Sequence, residues 1–384
     1  MEKKKRVLQV VSIFTSLPCF FGDQFRFFSH KDYEVHFICS PSPLAAKYAE
    51  QQQSQYYPIA LNRSFSILDD IKALFIMMRY IRKHRFDVVV GHTPKAALIS
   101  MMAALLTGVK KRVYFRHGLI FETSKGFKKF VLKNFERITA FCATKIICVS
   151  PSVCQRSIEE KLNAVHKQTV LGNGTCNGID TEVKFNPIML DTDKLQSIKN
   201  QYGISDDNFV VGFSGRLVKD KGIDYLVKAL DYLVEYPNII LLLVGRFEDR
   251  DALSDEISNK IKTDKRIIFT GEIDFQEISY YYELMDVLVL PSFREGFPTS
   301  VLEASSMEKP ILTTKVTGCI DAIIEGETGF YIEHDAENIA AMILKLYKDQ
   351  SLRERLGKNG RAWTTSNYDH SMLWDVIEEE VYQY

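Results

Sequence analysis

Two glutamates and two basic residues in the second half of the chain could together bind an anionic ligand rich in hydroxyls. Glu295 and Glu303 lie eight residues apart in the stretch REGFPTSVLE, directly after the apolar run MDVLVLPSF (285–293). Arg216 and Lys221 lie in GRLVKDKG, directly after another apolar run, NFVVGFS. Arginine and lysine suit phosphate, and carboxylates accept hydrogen bonds from hydroxyl groups. This set of residues indicates a site for a sugar joined to a diphosphate.

Short apolar strands alternate with helices along the whole chain and must position these residues. Near-continuous apolar strands between helices predict parallel sheets covered on both faces. A length of 384 residues favours two such α/β domains. The predicted strands are 6–13, 34–40, 86–92, 111–117 and 145–150 in the front half, and 208–215, 238–245, 266–271, 287–292 and 309–314 in the back half.

The loops that follow the strands of an open parallel sheet are where ligands bind. A helix start near 298–300 would add free backbone N–H groups to this edge. Gly212 and Gly215 would let the backbone approach a ligand closely. We therefore expect Glu303 to accept hydrogen bonds from a ribose diol, and Glu295 to accept them from a second polyhydroxy group.

Structural roles are the alternative for each of these residues. Ser300 and Glu303 fit a capping box, in which the glutamate would only cap a helix. Arg216 and Lys221 could be a solvated pair at a helix entry. Asp249 and Asp251 form a D-x-D that could hold a metal-bound diphosphate, but two carboxylates without further oxygen ligands make a poor site. We expect no metal and no cofactor.

The charge of the chain is divided between its halves, although its net charge is zero. Residues 1–180 contain 27 Lys and Arg against 13 Asp and Glu, a balance of +14 that the rest of the chain cancels. The stretch 109–145 holds ten basic and two acidic residues interleaved with aromatic residues. A solvated helix face is one interpretation, and no nucleic-acid-binding motif is present. We favour contact with an anionic membrane surface and expect no nucleic-acid partner.

Localisation is predicted from the cysteines and from the first residues. Seven cysteines without a C-x-x-C pair indicate free thiols in a reducing compartment. The start MEKKKRVLQVVSIF has the charge pattern of a signal peptide, but its short apolar stretch alternates like a first strand. No segment has the ~20 apolar residues of a membrane span. We expect a cytoplasmic protein, peripheral on the inner face of the membrane.

The ordered motifs of the chain resemble those of the retaining glycosyltransferases of family 4, which have the GT-B architecture. The resemblance covers nearly the whole chain and is strongest over 208–340. It implies two Rossmann-like α/β domains facing each other across a cleft. The matching motifs are Glu295–Glu303 as E-x7-E, Arg216–Lys221 as R-x4-K, NGID (177–180), VGR (244–246), TGCIDAI (317–323) and GETGFYI (326–332).

The resemblance implies roles for residues around the expected ligand. Arg216 and Lys221 would hold the donor diphosphate, and Glu303 would bind the ribose. Glu295 would position the donor sugar for attack on the same face, so that the anomeric configuration is retained. The implied catalytic residues are Glu295, His117, Arg216 and Lys221, and the implied donor-binding residues are Gly215, Arg216, Lys221, Glu295, Phe297, Thr299, Ser300 and Glu303.

The front half carries a second resemblance. GHTPKAAL (91–98) and YFRHGLIFE (114–122) look like acceptor-side motifs of capsule and O-antigen sugar transferases in this family. His117 would then face the reacting sugar, although a satisfied structural histidine is the alternative. We assign no catalytic role to His92. The first loop, 14–23, reads FTSLPCFFGD and departs from the glycine pair of many relatives.

The resulting prediction is a transferase that moves a sugar from a nucleotide-sugar, expected to be a UDP-sugar, to a hydroxyl of a lipid-linked saccharide in surface-polysaccharide assembly. Residues 1–180 would bind the acceptor, with 368–384 crossing back onto them. Residues 205–367 would bind the donor, after a linker region at 181–204. A nucleotide-sugar epimerase of the same architecture and a non-catalytic nucleotide- or sugar-binding protein are the alternatives, which turnover and product analysis would distinguish.

Overall fold

The computed structural model describes residues 4–61 and 66–383, so the first residues of the basic start and Tyr384 lie outside the described residues. The chain forms two compact units. The first contains residues 1–178 and 371–384, and the second contains residues 179–370. Each unit has one parallel sheet with helices around it.

The first unit has a seven-stranded parallel sheet with the order β3-β2-β1-β4-β5-β6-β7. Its strands are β1 (Lys5–Val10), β2 (Tyr33–Cys39), β3 (Gln55–Pro58), β4 (Val88–Gly91), β5 (Lys111–Arg116), β6 (Lys145–Cys148) and β7 (Gln168–Thr169). Its helices are α1 (Ser16–Phe21), α2 (Gln24–Ser29), α3 (Pro43–Gln51), α4 (Ile67–His84), α5 (Pro94–Leu106), α6 (Gly126–Cys142) and α7 (Pro151–Glu159).

The second unit has a six-stranded parallel sheet with the order β10-β9-β8-β11-β12-β13. Its strands are β8 (Phe209–Ser214), β9 (Ile239–Val244), β10 (Ile267–Gly271), β11 (Val287–Leu290), β12 (Ile311–Thr314) and β13 (Gly329–Ile332). Its helices are α8 (Thr192–Gln201), α9 (Ile223–Ala229), α10 (Asp255–Thr263), α11 (Ile278–Glu283), α12 (Thr299–Ser306), α13 (Ala336–Lys348) and α14 (Gln350–Tyr368). Residues 181–204, expected as a linker region, lie in this unit and include α8.

Both sheets have the strand order of a Rossmann-like fold, which confirms the predicted α/β class. The first strand of each sheet lies centrally, and the chain reverses its direction of growth beside it, between β1 and β4 and between β8 and β11. Ligands bind at such a switch point. Ten strands occur where the apolar runs predicted them. The short strands β3, β7 and β13 were not predicted.

The last residues of the chain return to the first unit. Helix α15 (His370–Ile377) continues into a π-helical segment, Glu378–Gln383. Lys31 forms an ion pair with Glu378, and Lys145 forms one with Glu380. The ring of Tyr382 is fully buried. The segment 371–383 is therefore an integral part of the first unit.

Candidate active site

The loops that follow the neighbouring strands β8 and β11 meet at the switch point of the second sheet. Lys221, in the loop after β8, forms an ion pair with Glu295, in the loop after β11. Beside it, Arg294 donates to the Asp220 carboxylate at 2.6 Å, and the Phe293 N–H donates to the Asp220 carbonyl at 2.9 Å. The structure therefore brings together Lys221 of the basic pair and Glu295 of the acidic pair, which lie more than 70 residues apart in the sequence.

Close backbone contacts fix these two loops. Gly222 follows Lys221 with a φ of +70°, and a Cβ there would lie 2.0 Å from the Pro291 carbonyl oxygen. Gly318 has a φ of +82°, and a Cβ there would lie 2.7 Å from the Glu295 carbonyl oxygen. Only glycine adopts these conformations and also avoids the clash. The positions of Lys221 and Glu295 are thus set by the backbone.

The Glu295 side chain is held in one orientation by two donors. Its Oε1 accepts a hydrogen bond from the Ser292 hydroxyl at 2.7 Å and also contacts the Lys221 ammonium. The Glu295 N–H donates to the Thr317 carbonyl at 3.0 Å. Both side-chain contacts use the same oxygen, so Oε2 is the atom that a ligand hydroxyl would meet.

Arg216 lies in the same loop as Lys221 and contacts a carboxylate that the sequence analysis did not assign. Its guanidinium donates to Glu248 at 2.5 Å, and its side chain is 46% exposed. Gly215 beside it has a φ of +149°, and its carbonyl oxygen lies 1.8 Å from where a Cβ of Gly245 would be. The loops after β8 and β9 are therefore packed backbone against backbone, which aligns Arg216 with Glu248.

The acidic D-x-D has a structural role at one of its two positions. The Asp251 carboxylate accepts from the Asp220 N–H at 2.8 Å, and its carbonyl accepts from the Lys219 N–H at 3.0 Å. Asp251 therefore braces the turn that carries Lys221. Among residues 4–61 and 66–383, no cluster of three or more His, Cys, Asp or Glu side chains could hold a metal ion.

Glu303 is buried in helix α12, and its carboxylate accepts a hydrogen bond from the Tyr282 hydroxyl at 2.6 Å. Burial raises the pKa of Glu303, and the Tyr282 hydrogen bond opposes that rise. The capping-box alternative is wrong, because the helix begins at Thr299 after Pro298 and no side chain caps it. Glu303 thus faces inward to a tyrosine, and does not reach back to a backbone N–H.

The first turn of α12 supplies the backbone groups that were expected to contact the ligand. Phe297 is buried and packs against Tyr368 with ring centroids 5.3 Å apart. Thr299 and Ser300 are partly exposed. The first N–H groups of a helix lack carbonyl partners within it. This turn therefore offers hydrogen-bond donors next to the loop that holds Glu295.

In the first unit, His117 lies directly after β5 and contacts a second histidine, His92, which lies directly after β4. The distance from His92 Nδ1 to His117 Nε2 is 2.8 Å. His92 Nε2 lies 2.8 Å from Gln9 Oε1, and Gln9 Nε2 donates to the Tyr382 hydroxyl at 2.8 Å. Sequence reasoning gave His92, Gln9 and Tyr382 no role, although His92 carried one signal, its place at a strand end.

The segment 14–23, expected as a loop, contains helix α1, and aromatic residues of this helix pack onto these histidines. The Phe20 ring stacks on His117 with centroids 3.9 Å apart, and Phe21 meets His92 edge-on at 4.9 Å. Burial lowers the pKa of His117 to about 3 and lowers the pKa of His92 well below its ordinary value of 6.5. Both rings are therefore neutral at physiological pH.

Comparison with known proteins assigns the chain to a family. A model described as "Glycosyltransferase Family 4" matches residues 24–182, and one described as "Glycosyl transferases group 1" matches residues 195–363. The first model covers most of the first unit except its beginning and the C-terminal segment, and the second covers most of the second unit. The chain belongs to the family-4 glycosyltransferases with the GT-B fold.

The chain is similar to two named relatives and to one solved structure. The chain is 35% identical over 378 residues to the capsular polysaccharide biosynthesis glycosyltransferase CapM of Staphylococcus aureus, covering 98% of this chain and 96% of CapM. It is 28% identical over 362 residues to the UDP-Gal:alpha-D-GlcNAc-diphosphoundecaprenol alpha-1,3-galactosyltransferase of Escherichia coli, covering 93% and 90%. The crystal structure of Anabaena HepE in complex with UDP and glucose superposes with a TM-score of 0.81 at 18% identity, covering 99% and 100%.

None of the helices among the described residues combines the length and the apolar character that a membrane span requires.

Proposed function

We propose that the protein is a retaining glycosyltransferase that moves a sugar from a UDP-sugar to a hydroxyl of a lipid-linked saccharide during surface-polysaccharide assembly. The observation that carries this proposal is the Lys221–Glu295 ion pair at the switch point of the second sheet, with Arg216 in the same loop as Lys221. The Staphylococcus aureus relative acts in capsule synthesis, and the Escherichia coli relative uses UDP-Gal and a diphosphoundecaprenol-linked acceptor by name. HepE supports the choice of UDP, since it was crystallised with it.

Arg216 and Lys221 would stabilise the diphosphate that leaves. Cleavage of the bond between sugar and phosphate puts negative charge on the departing nucleotide, and fixed cations stabilise it. Each cation contacts a carboxylate, Glu248 on Arg216 and Glu295 on Lys221. A bound diphosphate would replace Glu248 and share Lys221. The site is thus electrostatically balanced before the donor enters.

Glu295 would position the donor sugar and would not attack it. Its carboxylate is already held through Oε1 by Ser292 and Lys221, and Oε2 would accept from a sugar hydroxyl. The acceptor hydroxyl would instead attack from the face that the diphosphate leaves, which retains the configuration.

The test is a transfer assay with UDP-sugars and a synthetic diphosphate-linked lipid saccharide, followed by NMR of the product's anomeric proton. We expect a new glycosidic bond with the donor's configuration. Replacing Arg216 or Lys221 by alanine should lower kcat by two or more orders of magnitude, as for other charge-stabilising groups. An inverted product would refute the retaining mechanism. A donor converted without acceptor would indicate an epimerase, and absence of any turnover would favour a binding protein.

We also propose that the first unit binds an anionic membrane surface through the start of helix α6. Within 109–145, three basic residues form ion pairs with acidic residues of the protein. These pairs are Arg116 with Glu136, Lys133 with Glu160 and Lys145 with Glu380. At the start of α6, by contrast, Lys125 and Lys128 are exposed, together with Phe127 at 80% and Phe130 at 61%. Lysines beside exposed aromatic rings suit peripheral binding to anionic lipid.

The membrane proposal is tested by co-sedimentation with vesicles that contain phosphatidylglycerol. The double variant Phe127→Ser, Lys128→Glu should bind several-fold less than the wild type. The control variant Ile188→Ser, Lys358→Glu makes the same changes at exposed positions of the second unit. It should bind like the wild type. Equal binding by all three proteins would refute the assignment of this surface.

A further inference from the structure

Four buried or partly buried side chains of the first unit form a continuous hydrogen-bond chain that ends at His117. It runs from Tyr382 through Gln9 and His92, and each of its three links is 2.8 Å long. Tyr382, Gln9 and His92 are each no more than 2% exposed, whereas His117 is partly exposed. The chain therefore connects the C-terminal segment with the candidate catalytic histidine through the interior of the domain.

The donors and acceptors along this chain determine which nitrogen of His117 carries its proton. Gln9 donates to Tyr382 through Nε2, so its carbonyl oxygen, Oε1, faces His92. A carbonyl oxygen only accepts, so His92 Nε2 must be the protonated nitrogen. In a neutral ring the other nitrogen, Nδ1, then accepts, and its donor is His117 Nε2. The lone pair of His117 is thus on Nδ1.

Backbone strain and hydrogen bonds next to His92 hold its ring in a fixed position. Thr93 follows His92 with a φ of +57°, a conformation that β-branched residues rarely adopt. The Thr93 hydroxyl accepts from the Ser12 N–H at 3.2 Å and contacts the Ser12 hydroxyl at 2.8 Å, while the His92 N–H donates to the Val10 carbonyl at 2.8 Å. Such strain is retained at functional sites when surrounding contacts over-determine it. These contacts hold the His92 ring over Gln9.

We propose that His92 is a positioning residue that fixes His117 as the neutral Nε2–H tautomer. Gln9 and Tyr382 determine which atom of each hydrogen bond is the donor. His117 then presents Nδ1 as a hydrogen-bond acceptor, so the group it recognises is a hydroxyl of a bound sugar. His117 does not donate a proton to the sugar, because its only N–H is directed to His92. The catalytic part of this inference rests on the proposed transfer function, while the tautomer does not.

The wild-type protein gives the first test, by long-range ¹H–¹⁵N NMR of ¹⁵N-histidine-labelled protein at pH 7.5. We expect both histidines in the Nε2–H form. An Nδ1–H form of either one would overturn the proposal. This measurement does not depend on any variant being folded or active.

Tyr382→Phe tests the direction of the chain with a nearly unchanged shape. The Gln9 amide loses its Tyr382 partner, so its two orientations become closer in energy, and the rotated one would offer N–H to His92 in place of the carbonyl. We expect a second His117 tautomer in the spectrum, with kcat at least fivefold lower and the donor KM changed less than twofold. An unchanged spectrum would overturn the role of Tyr382.

Tyr33→Phe is the matched control. The Tyr33 ring packs against Tyr382 at 5.2 Å, and its hydroxyl contacts Glu378 at 3.1 Å, outside the chain to His117. This variant loses a buried phenol hydroxyl at the same place and should keep the wild-type tautomer and kcat. A loss of kcat equal to that of Tyr382→Phe would mean that general packing explains the effect. Normal tautomers in a protein without transfer activity would refute the proposed function and leave the hydrogen-bond chain intact.

Discussion

The buried hydrogen bond between Tyr282 and Glu303 gives a prediction with a defined size and pH dependence. Tyr282→Phe removes the hydroxyl that lies 2.6 Å from the Glu303 carboxylate and leaves the ring in place. Both side chains are buried, so water does not readily replace the lost donor. Hydrogen bonds to charged groups contribute about 1.5–3 kcal/mol. We expect the free energy of unfolding at pH 8 to fall by that amount.

The loss should be smaller in acid. Burial already raises the pKa of Glu303, and removal of the Tyr282 donor raises it further. The folded variant then holds a proton that the unfolded chain releases, so its stability falls as the pH rises. Relative to the wild type, the variant is therefore expected to be less destabilised at pH 5 than at pH 8.

Urea unfolding at both pH values measures this effect, with Tyr281→Phe as the control. Tyr281 is also buried on helix α11, but its hydroxyl forms a hydrogen bond with the Tyr202 side chain and not with a carboxylate. That variant should lose about 0.5–1.5 kcal/mol, equally at pH 5 and pH 8. If Tyr282→Phe lost no more than the control, or lost it independently of pH, then Glu303 would not be the buried carboxylate that the structure indicates.

Three further predictions concern individual residues. The pKa of His117 is lowered from 6.5 to about 3, so on acidification the unfolded chain binds a proton at this residue before the folded chain does. Urea unfolding should therefore show that the free energy of unfolding falls by about 2 kcal/mol through this group between pH 8 and pH 5. The fall should be smaller in His117→Phe. Gly222→Ala should cost about 1–3 kcal/mol and lower kcat, because its Cβ would strike Pro291 and shift the turn of Lys221; Gly203→Ala, strained at φ +65° but in open space, should leave kcat unchanged. Glu248→Gln should release Arg216 and tighten UDP binding by up to about fivefold in calorimetry at low salt, and unchanged affinity would show that Glu248 does not compete with the diphosphate.

The sequence predicted the central strands because these strands are continuously apolar and are buried on both faces. The strand β9, IILLLV, is buried at every position. The missed strands were short or lay at sheet edges. β3 reads QYYP with exposed ends, and β7 has two residues. An edge strand forms backbone hydrogen bonds with a neighbour on one side only and needs fewer apolar residues. Its sequence is therefore harder to recognise as a strand.

Glu303 shows why a local pattern was ambiguous. The spacing Ser300–Glu303 matches a capping box, but Pro298 precedes the first helical residue, Thr299, and places Ser300 inside the helix. The side chain of Glu303 is then directed to Tyr282, which lies 21 residues earlier in the chain. Only the tertiary fold supplies that contact, so no sequence window contains it.

The histidine chain was unpredictable for the same reason. Gln9 and Tyr382 are 373 residues apart, and their contact exists because the C-terminal segment returns to the first sheet. The sequence singled out His117 through its motif and its place at a strand end. The residues that orient His117 are ordinary in type and distant in sequence, and only the structure joins them.

The measurement that tests the central claim most directly is a thermal-shift and calorimetry panel of UDP, GDP, ADP and CMP against the wild type and Glu303→Ala. A ligand at 100 times its dissociation constant adds about 2.7 kcal/mol of stability. We predict that UDP alone stabilises the wild type by this order. Glu303→Ala should lose most of the effect if Glu303 binds the ribose, as the family resemblance implies. Equal stabilisation of both proteins by UDP would contradict the role of Glu303, and absence of stabilisation by UDP would contradict the proposed donor.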